Sequence, residues 1–305
     1  MPDFIMLIGP SGCGKSTVAK TFEGYDCDIH SSDVIRGELW GDENDQQNPS
    51  KVFDEMFNRS CISLMDGRNV VYDATNLNAK RRTACLNRFK SWNSKYKVDI
   101  HYCAVVVVAR ETECVCRNLH RKRVVPIEVI NRQFRQIQLP WFFEGWDEIY
   151  YTVTSGYPQY GQPWGELLHC LDIPHDNPHH PNDVLAHSLK VAAALGEPFS
   201  DDWKLGILHD CGKPETKGWT NTKGEIDTVA HYYNHHYLGA YKSLLFDWED
   251  GGKFWNNYLR AMAIQFHMEP WFRSGEKLEE FYAKLGDDDL VDMIKRLHKA
   301  DREEA

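Results

Sequence analysis

Phe4-Ile5-Met6-Leu7-Ile8-Gly9-Pro10-Ser11-Gly12-Cys13-Gly14-Lys15-Ser16-Thr17 carries the strongest signal in the chain. The apolar run Phe4–Ile8 predicts a buried strand. The residues after it fit G-x-x-x-x-G-K-[ST], and Lys15 to Phe22 has the pattern of a helix. A strand, a glycine turn and a helix N-terminus in that order form a phosphate cradle. The glycines let backbone N–H groups turn toward phosphate oxygens, and the helix dipole adds positive charge. Gly9, Ser11, Gly12, Cys13, Gly14, Lys15, Ser16 and Thr17 are therefore the candidate nucleotide-binding residues. Lys15 is placed to reach the β- and γ-phosphates of ATP or another nucleoside triphosphate, and Ser16 to ligate Mg²⁺.

Around this loop, the first 150 residues alternate short apolar runs with amphipathic patterns, which predicts α/β architecture with a mostly parallel sheet. Strands are expected at Cys27–His30, Asn69–Tyr72 and Val98–Val108. Helices are expected from near Asp33, after the polar loop Gly41–Asn48 to near Asp66, and over Ala79–Ser91, Glu111–His120 and Glu128–Leu139. Thr154–Gly165 holds Ser155, Gly156, Pro158, Gly161, Pro163 and Gly165, a cluster of breakers. Beyond it the pattern is helical: Asp183–Leu195, Asp201–Cys211, His231–Leu245, Trp255–His267 and Asp288–Lys299. We expect a boundary near residue 160, with an α/β domain over 1–155 and an all-α domain over 165–305.

Composition sets outer limits. At 305 residues the chain is long enough for two domains with their own cores. No apolar run approaches the roughly 20 residues of a membrane span, and the N-terminus has no leader pattern. Nine cysteines without regular spacing point to reduced thiols in a cytoplasm. A net charge of −10 speaks against strong non-specific nucleic-acid binding by the whole chain. A local basic segment remains, with Arg117, Arg121, Lys122, Arg123, Arg132 and Arg135 against the single acid Glu128. It reads either as a solvated helix face or as an anion-binding surface.

His30-Ser31-Ser32-Asp33-Val34-Ile35-Arg36 follows the second strand, where open α/β sheets place their ligand crevice. Asp33 there is either a base for an attacking hydroxyl or a helix N-cap. Arg36, one turn on, is either an anion site or a surface residue. Asp73 ends the third strand and is either a Walker B-type magnesium acid or an ordinary strand-end residue; the sequence leaves it outside the candidate set.

These segments together resemble the phage and bacterial 5′-OH polynucleotide kinases. The likeness covers roughly the first 140 residues. It includes Val71-Tyr72-Asp73-Ala74-Thr75-Asn76-Leu77-Asn78, Arg81-Arg82, Arg117-Asn118-Leu119-His120-Arg121 and Val125-Pro126-Ile127-Glu128-Val129-Ile130. The resemblance implies that Asp33 is the general base and that Arg36 binds the phosphate beside the 5′-OH. It further implies that Arg117 and Arg121 belong to a lid over the donor phosphates. The acceptor would be a 5′-OH end of RNA or DNA, with a ligase acting downstream.

The second half holds most of the 14 histidines. His187 shares a helical face with Val184, Ser188 and Val191. His209-Asp210 ends an apolar helix and precedes Cys211-Gly212-Lys213. Adjacent helical residues point about 100° apart, so both reach one metal only from a helix end. Asp301 follows another apolar helix. The pattern resembles the HD phosphohydrolase superfamily over about residues 170–302, including His179-His180, His235-His236 and Gln265-Phe266-His267. That resemblance implies His187, His209, Asp210 and Asp301 as ligands of a divalent transition metal, with His235 and His267 as ligands of a second. Imidazole and carboxylate donors suit Mn, Fe, Co, Ni or Zn alike. Lys213 reads either as a phosphate contact or as an exposed helix-end lysine, while His169, His175 and His231 are given no role. Together the halves suggest nucleic-acid end healing. The alternatives are a small-molecule kinase fused to a nucleotidase, or a kinase with a regulatory HD module.

Overall fold

The computed structural model describes residues 1–45, 47–121, 123–155, 171–178, 182–246 and 254–304. The chain divides into two compact units, Met1–Phe134 with Pro140–Ser155, and Arg135–Leu139 with Gly156–Ala305. The expected boundary near residue 160 lies outside the described residues. So do Gly156, Pro158, Gly161, Pro163, Gly165, His169, His179, His180 and Lys122.

The first unit is a five-stranded parallel sheet of order β2-β3-β1-β4-β5. The strands are β1 (Asp3–Ile8), β2 (Cys27–Ser31), β3 (Asn69–Asp73), β4 (His101–Val108) and β5 (Glu148–Val153). The helices are α1 (Lys15–Thr21), α2 (Ser32–Trp40), α3 (Pro49–Met65), α4 (Ala79–Tyr96), α5 (Glu111–Leu119) and α6 (Ile127–Gln136), with a 3-10 turn at Phe142–Glu144. Central β1 is apolar on both faces, as a strand covered on both sides must be. On one face Ile5 and Leu7 pack with Ala19, Val71 and Cys103. On the other, Phe4 meets Phe89 at 4.4 Å and Tyr72 at 5.5 Å between ring centres.

Three elements differ from the sequence expectation. α4 runs on to Tyr96, where Lys97 takes φ 56°, so β4 starts at His101 and not at Val98. β5 is an addition; its hydroxyl and charged residues obscure the alternation, and pairing with β4 makes it a strand. α6 stops at Gln136, short of Leu139. The backbone at Leu139 bonds instead to Gln265, and the residue before Pro140 is biased away from helix.

The second unit is mainly helical: α7 (Val184–Leu195), α8 (Asp201–Leu208), α9 (Lys213–Thr216), α10 (His235–Ser243), α11 (Phe254–Phe266), α12 (Glu269–Phe272), α13 (Glu276–Leu285) and α14 (Asp288–Glu303). It is not all-α. β6 (Gly218–Thr220) and β7 (Ile226–His231) form an antiparallel pair. Asn221 and Gly224 close its turn, Gly224 at φ 83°, while Glu225 and Asp227 hide the short strands' alternation from a hydropathy reading. β7 also moves the start of α10 from the expected His231 to His235. No helix among the described residues is long and apolar enough to cross a membrane.

Candidate functional sites

In the first unit the site lies at the C-terminal ends of the strands, where a parallel sheet opens its crevice. The glycine loop runs from β1 into α1, and close packing dictates its residues. Gly12 has φ 85°, and a Cβ there would lie 2.3 Å from the Cys114 carbonyl oxygen. The loop is braced on all sides. Gly9 N–H donates to Thr75 O at 3.0 Å, Ser11 N–H donates to Gln133 Oε1 at 2.7 Å, and the Thr154 hydroxyl donates to Cys13 O. Lys15 is buried, with Nζ donating to the carbonyls of Gly9 at 2.9 Å and Pro10 at 2.8 Å.

The Ser16 hydroxyl donates to Asp73 Oδ2 at 3.2 Å. Burial pushes the Asp73 carboxyl up, while Lys15 and the Ser16 hydroxyl pull it back. A serine oxygen beside a buried carboxylate is the hard oxygen donor pair that Mg²⁺ takes in such loops. Asp73 therefore belongs with Ser16, a placement the sequence leaves open.

Asp33 lies in the first turn of α2. Its carboxylate is held 2.8 Å from Arg36 Nη1 and is also paired with Arg123. Arg36 is buried at 5% exposure, its Nε has no hydrogen-bond partner, and it also reaches the Glu43 carbonyl. Arg123 is only one member of the basic cluster in the sequence; the fold brings it to Asp33. Arg117 donates to Glu113 at 2.9 Å and to the Thr154 carbonyl at 2.7 Å. Its fork thus braces the same Thr154 that holds Cys13. Arg121 is exposed, and its charge lowers both Cys13 and Asp73 against the upward push of burial. Arg82, from the Arg81-Arg82 segment, is an internal strut: it is bidentate to buried Glu144 at 2.8 and 2.6 Å.

In the second unit the ligand-type residues come together from five helices. His187 lies within α7, His209-Asp210 follow α8, His235 opens α10, His267 follows α11 and Asp301 lies in α14. All six are buried. They form two groups, His187, His209 and Asp301, and Asp210, His235 and His267, the atoms within each lying within 4.8 Å of one another. His187 Nε2 is 3.0 Å from Asp301 Oδ1. His235 Nε2 is 3.5 Å from Asp210 Oδ1 and 3.3 Å from His267 Nε2.

Three rings share one orienting device. Nδ1 of His209, His235 and His267 lies 2.6, 2.8 and 2.7 Å from the carbonyl three residues earlier, on Gly206, Tyr232 and Ile264. A carbonyl accepts only, so Nδ1 carries a proton and Nε2 faces the centre. This is the arrangement a metal ligand needs. His209 Nε2 faces Asp210 Oδ2 at 3.3 Å and Asp301 Oδ1 at 3.6 Å, a convergence that fits a cation at the centre. Gly212 permits the close approach of α10; a Cβ there would lie 2.1 Å from the His235 carbonyl oxygen. His236 belongs to neither group, leaving His235 as the member of the pair that enters the centre.

Burial drives the electrostatics. It pushes His235 down to about 3 and His267 down to about 4. At Asp210 burial works upward, but the His209 and Lys213 charges hold the carboxyl well below its usual range. At His209 burial works downward, and the Asp210 and Asp301 carboxylates outweigh it, raising the ring to about 10. Lys213 is buried, 2.6 Å from Asp210 Oδ2 and 3.1 Å from His175 Nε2. His175, given no role from sequence, thus borders the centre, and burial followed by the Lys213 charge pushes it down to about 4. Its position before α7 offers no periodic signal. His231 pairs with Asp227 at 3.0 Å, outside both groups.

Residues 4–140 match the model of a family described as an AAA domain. The aliphatic sulfonates import ATP-binding protein SsuB of Bacillus cereus is 53% identical over 36 residues, 12% of this chain and 14% of that protein. SsuB of Bacillus anthracis matches to the same extent. The chain thus spans about 14% of the length of the curated relatives it matches. Among solved structures, a fungal RNA kinase aligns at 16% identity and TM-score 0.39, over 52% of this chain and 40% of that one. A Pnkp1/Rnl/Hen1 complex aligns at 23% identity and TM-score 0.30, over 41% of each chain. The first unit holds a P-loop nucleotide-binding domain of parallel α/β fold.

Proposed function

We propose that the chain heals nucleic-acid ends: the first unit transfers the γ-phosphoryl of ATP to a polynucleotide 5′-hydroxyl, and the second hydrolyses a phosphate ester at a 3′ end. One observation carries the kinase reading. The Asp33–Arg36 pair after β2 opens onto the same strand-end crevice as Lys15, Ser16 and Asp73. A buried guanidinium with an orphaned Nε is a fixed anion site, and an oligonucleotide offers a phosphate a few bonds away from its 5′-OH. A neutral acceptor offers Arg36 no anion beyond Asp33.

In this reading Lys15 releases its loop carbonyls and holds the β- and γ-oxygens. Asp33 takes the hydroxyl proton while Arg36 holds the adjacent phosphate. Arg121 adds positive charge over the donor, and Arg117 keeps the loop in register through Thr154. Mg²⁺ on Ser16 and Asp73 would neutralise charge on the β- and γ-phosphates.

For the second unit, His187, His209, Asp210 and Asp301 would hold one divalent transition metal, with Asp210, His235 and His267 offering a second position. Such a metal supplies Lewis acidity and a nucleophilic water. The chain orients the imidazoles through their Nδ1 carbonyl bonds, and Lys213, beside Asp210, would meet a phosphate oxygen. A 2′,3′-cyclic or terminal phosphate is the substrate class.

The deciding assay supplies γ-labelled ATP with 5′-OH RNA, 5′-OH DNA, nucleosides and sugars. Label is expected on oligonucleotides and lost in Lys15→Ala and Asp33→Ala. Label on nucleosides or sugars alone overturns the polynucleotide acceptor and points to a small-molecule kinase. Phosphate release from 3′ and cyclic ends tests the second unit; unchanged release in His209→Ala overturns its catalytic role.

A further inference from the structure

The opposite, N-terminal edge of the sheet holds another group of ligand-type side chains. Asp3 opens β1 and His101 opens β4, in register as parallel partners, and Ile5 stands in register with Cys103. Residues i and i+2 of a strand share a face. Asp3, His101 and Cys103 therefore project to one side. His101 Nδ1 lies 3.0 Å from Asp3 Oδ1 and 3.4 Å from Cys103 Sγ. One donor atom from each residue lies within 4.8 Å of the others.

Tetrahedral zinc, with bonds of about 2.0–2.1 Å to N and O and about 2.3 Å to S, sets its ligand atoms about 3.3–3.6 Å apart. The two measured His101 separations already lie close to those edges. The backbone beneath is anchored, since Asp3 N–H donates to Asn69 Oδ1 at 2.8 Å and His101 N–H to Pro2 O at 3.1 Å. The surroundings are anionic. After burial, Asp3, Glu148 and Asp147 push the Cys103 thiol up to about 12, a field that a cation relieves. Glu148 stands in register with Cys103 on β5.

We propose that Asp3, His101 and Cys103 form a structural site for a divalent cation of the zinc class, clasping the first residues of β1 and β4. Oxygen, nitrogen and sulfur donors in one set favour such a borderline ion over Mg²⁺ or Ca²⁺. Cys103 gives its thiol proton to solvent on binding, and Glu148 or water completes the shell. The strands separate this edge from the phosphate loop by about 17–20 Å, so the ion stabilises the sheet and takes no part in phosphoryl transfer.

Cobalt titration of the full, reduced, chelator-treated chain tests this, because a thiolate ligand gives a sulfur-to-cobalt charge-transfer band in the near ultraviolet. The His/Asp centre of the second unit has no sulfur. The band is expected to saturate with added cobalt, to disappear on adding Zn²⁺, and to persist in His209→Ala. It is lost in Cys103→Ser, and His101→Ala weakens cobalt affinity about tenfold or more. Nucleotide binding in the same samples checks folding. Should Cys103→Ser not fold, the half-exposed positions decide through Asp3→Asn and His101→Ala. No band from the folded wild-type chain, or a band unaltered in these variants, overturns the site.

Discussion

Buried Asp73 accepts a hydrogen bond from the exposed Ser16 hydroxyl at 3.2 Å at the strand ends, and the proposed magnesium role of Asp73 rests on that contact. Asp73→Asn keeps the shape and removes the charge. The Mg²⁺ concentration for half-maximal kinase activity should rise about tenfold or more; an unchanged magnesium curve would leave Asp73 purely structural. Arg36 admits an equally sharp test. Lysine cannot reproduce a planar fork, so Arg36→Lys should raise KM for a 5′-OH oligonucleotide while KM for ATP stays within about twofold. Lys15→Ala should lower kcat by about 10²–10³-fold, the usual worth of one preorganised donor to transferring charge. Asp73, Arg123 and His175 mark the limits of linear reading at this scale. Each acquires its meaning from a partner far away in sequence: Ser16, Asp33 and Lys213.

At the scale of elements, the Arg82–Glu144 pair ties α4 to the 3-10 turn ahead of β5. Both side chains are almost wholly enclosed, so removing one leaves the other charge buried. Arg82→Ala should cost about 3–5 kcal/mol in urea unfolding of the first unit, and Arg82→Met with Glu144→Leu should recover most of it. The histidine centre makes a pH prediction for the second unit. His175, His235 and His267 are pushed down to about 4, 3 and 4 by burial, against about 6.5 in an unfolded chain. Between about pH 4 and 6.5 the unfolded chain therefore binds more protons, and stability rises with pH. His209 works the other way, raised to about 10: its contribution is complete below about pH 6.5 and fades toward about pH 10. Thermal unfolding of metal-free protein should show a midpoint climbing from about pH 4.5 to about 6.5; a flat or falling trend would contradict the neutral, buried rings.

For the molecule as a whole, each unit carries its own set of chemical groups. Lys15→Ala should lower label transfer by about 10²–10³-fold while phosphate release stays within about twofold, and His209→Ala should do the reverse, as for independent sites. Loss of both activities from either change would show that the two reactions are coupled.

Linear order alone establishes the glycine loop, the parallel α/β pattern and the helical character of the second half. Those features are local: a periodicity, a turn requiring positive φ, or a spacing along one helix is written in consecutive residues. Folding in three dimensions is what joins β5 to the sheet through β4, makes a hairpin of Asp227 and its neighbours, and admits His235 to the centre in place of His236. It likewise brings Asp73 to Ser16 and Arg123 to Asp33. Pairing and juxtaposition depend on which distant segments exclude water together, and that is a property of the packed chain rather than of any stretch of it.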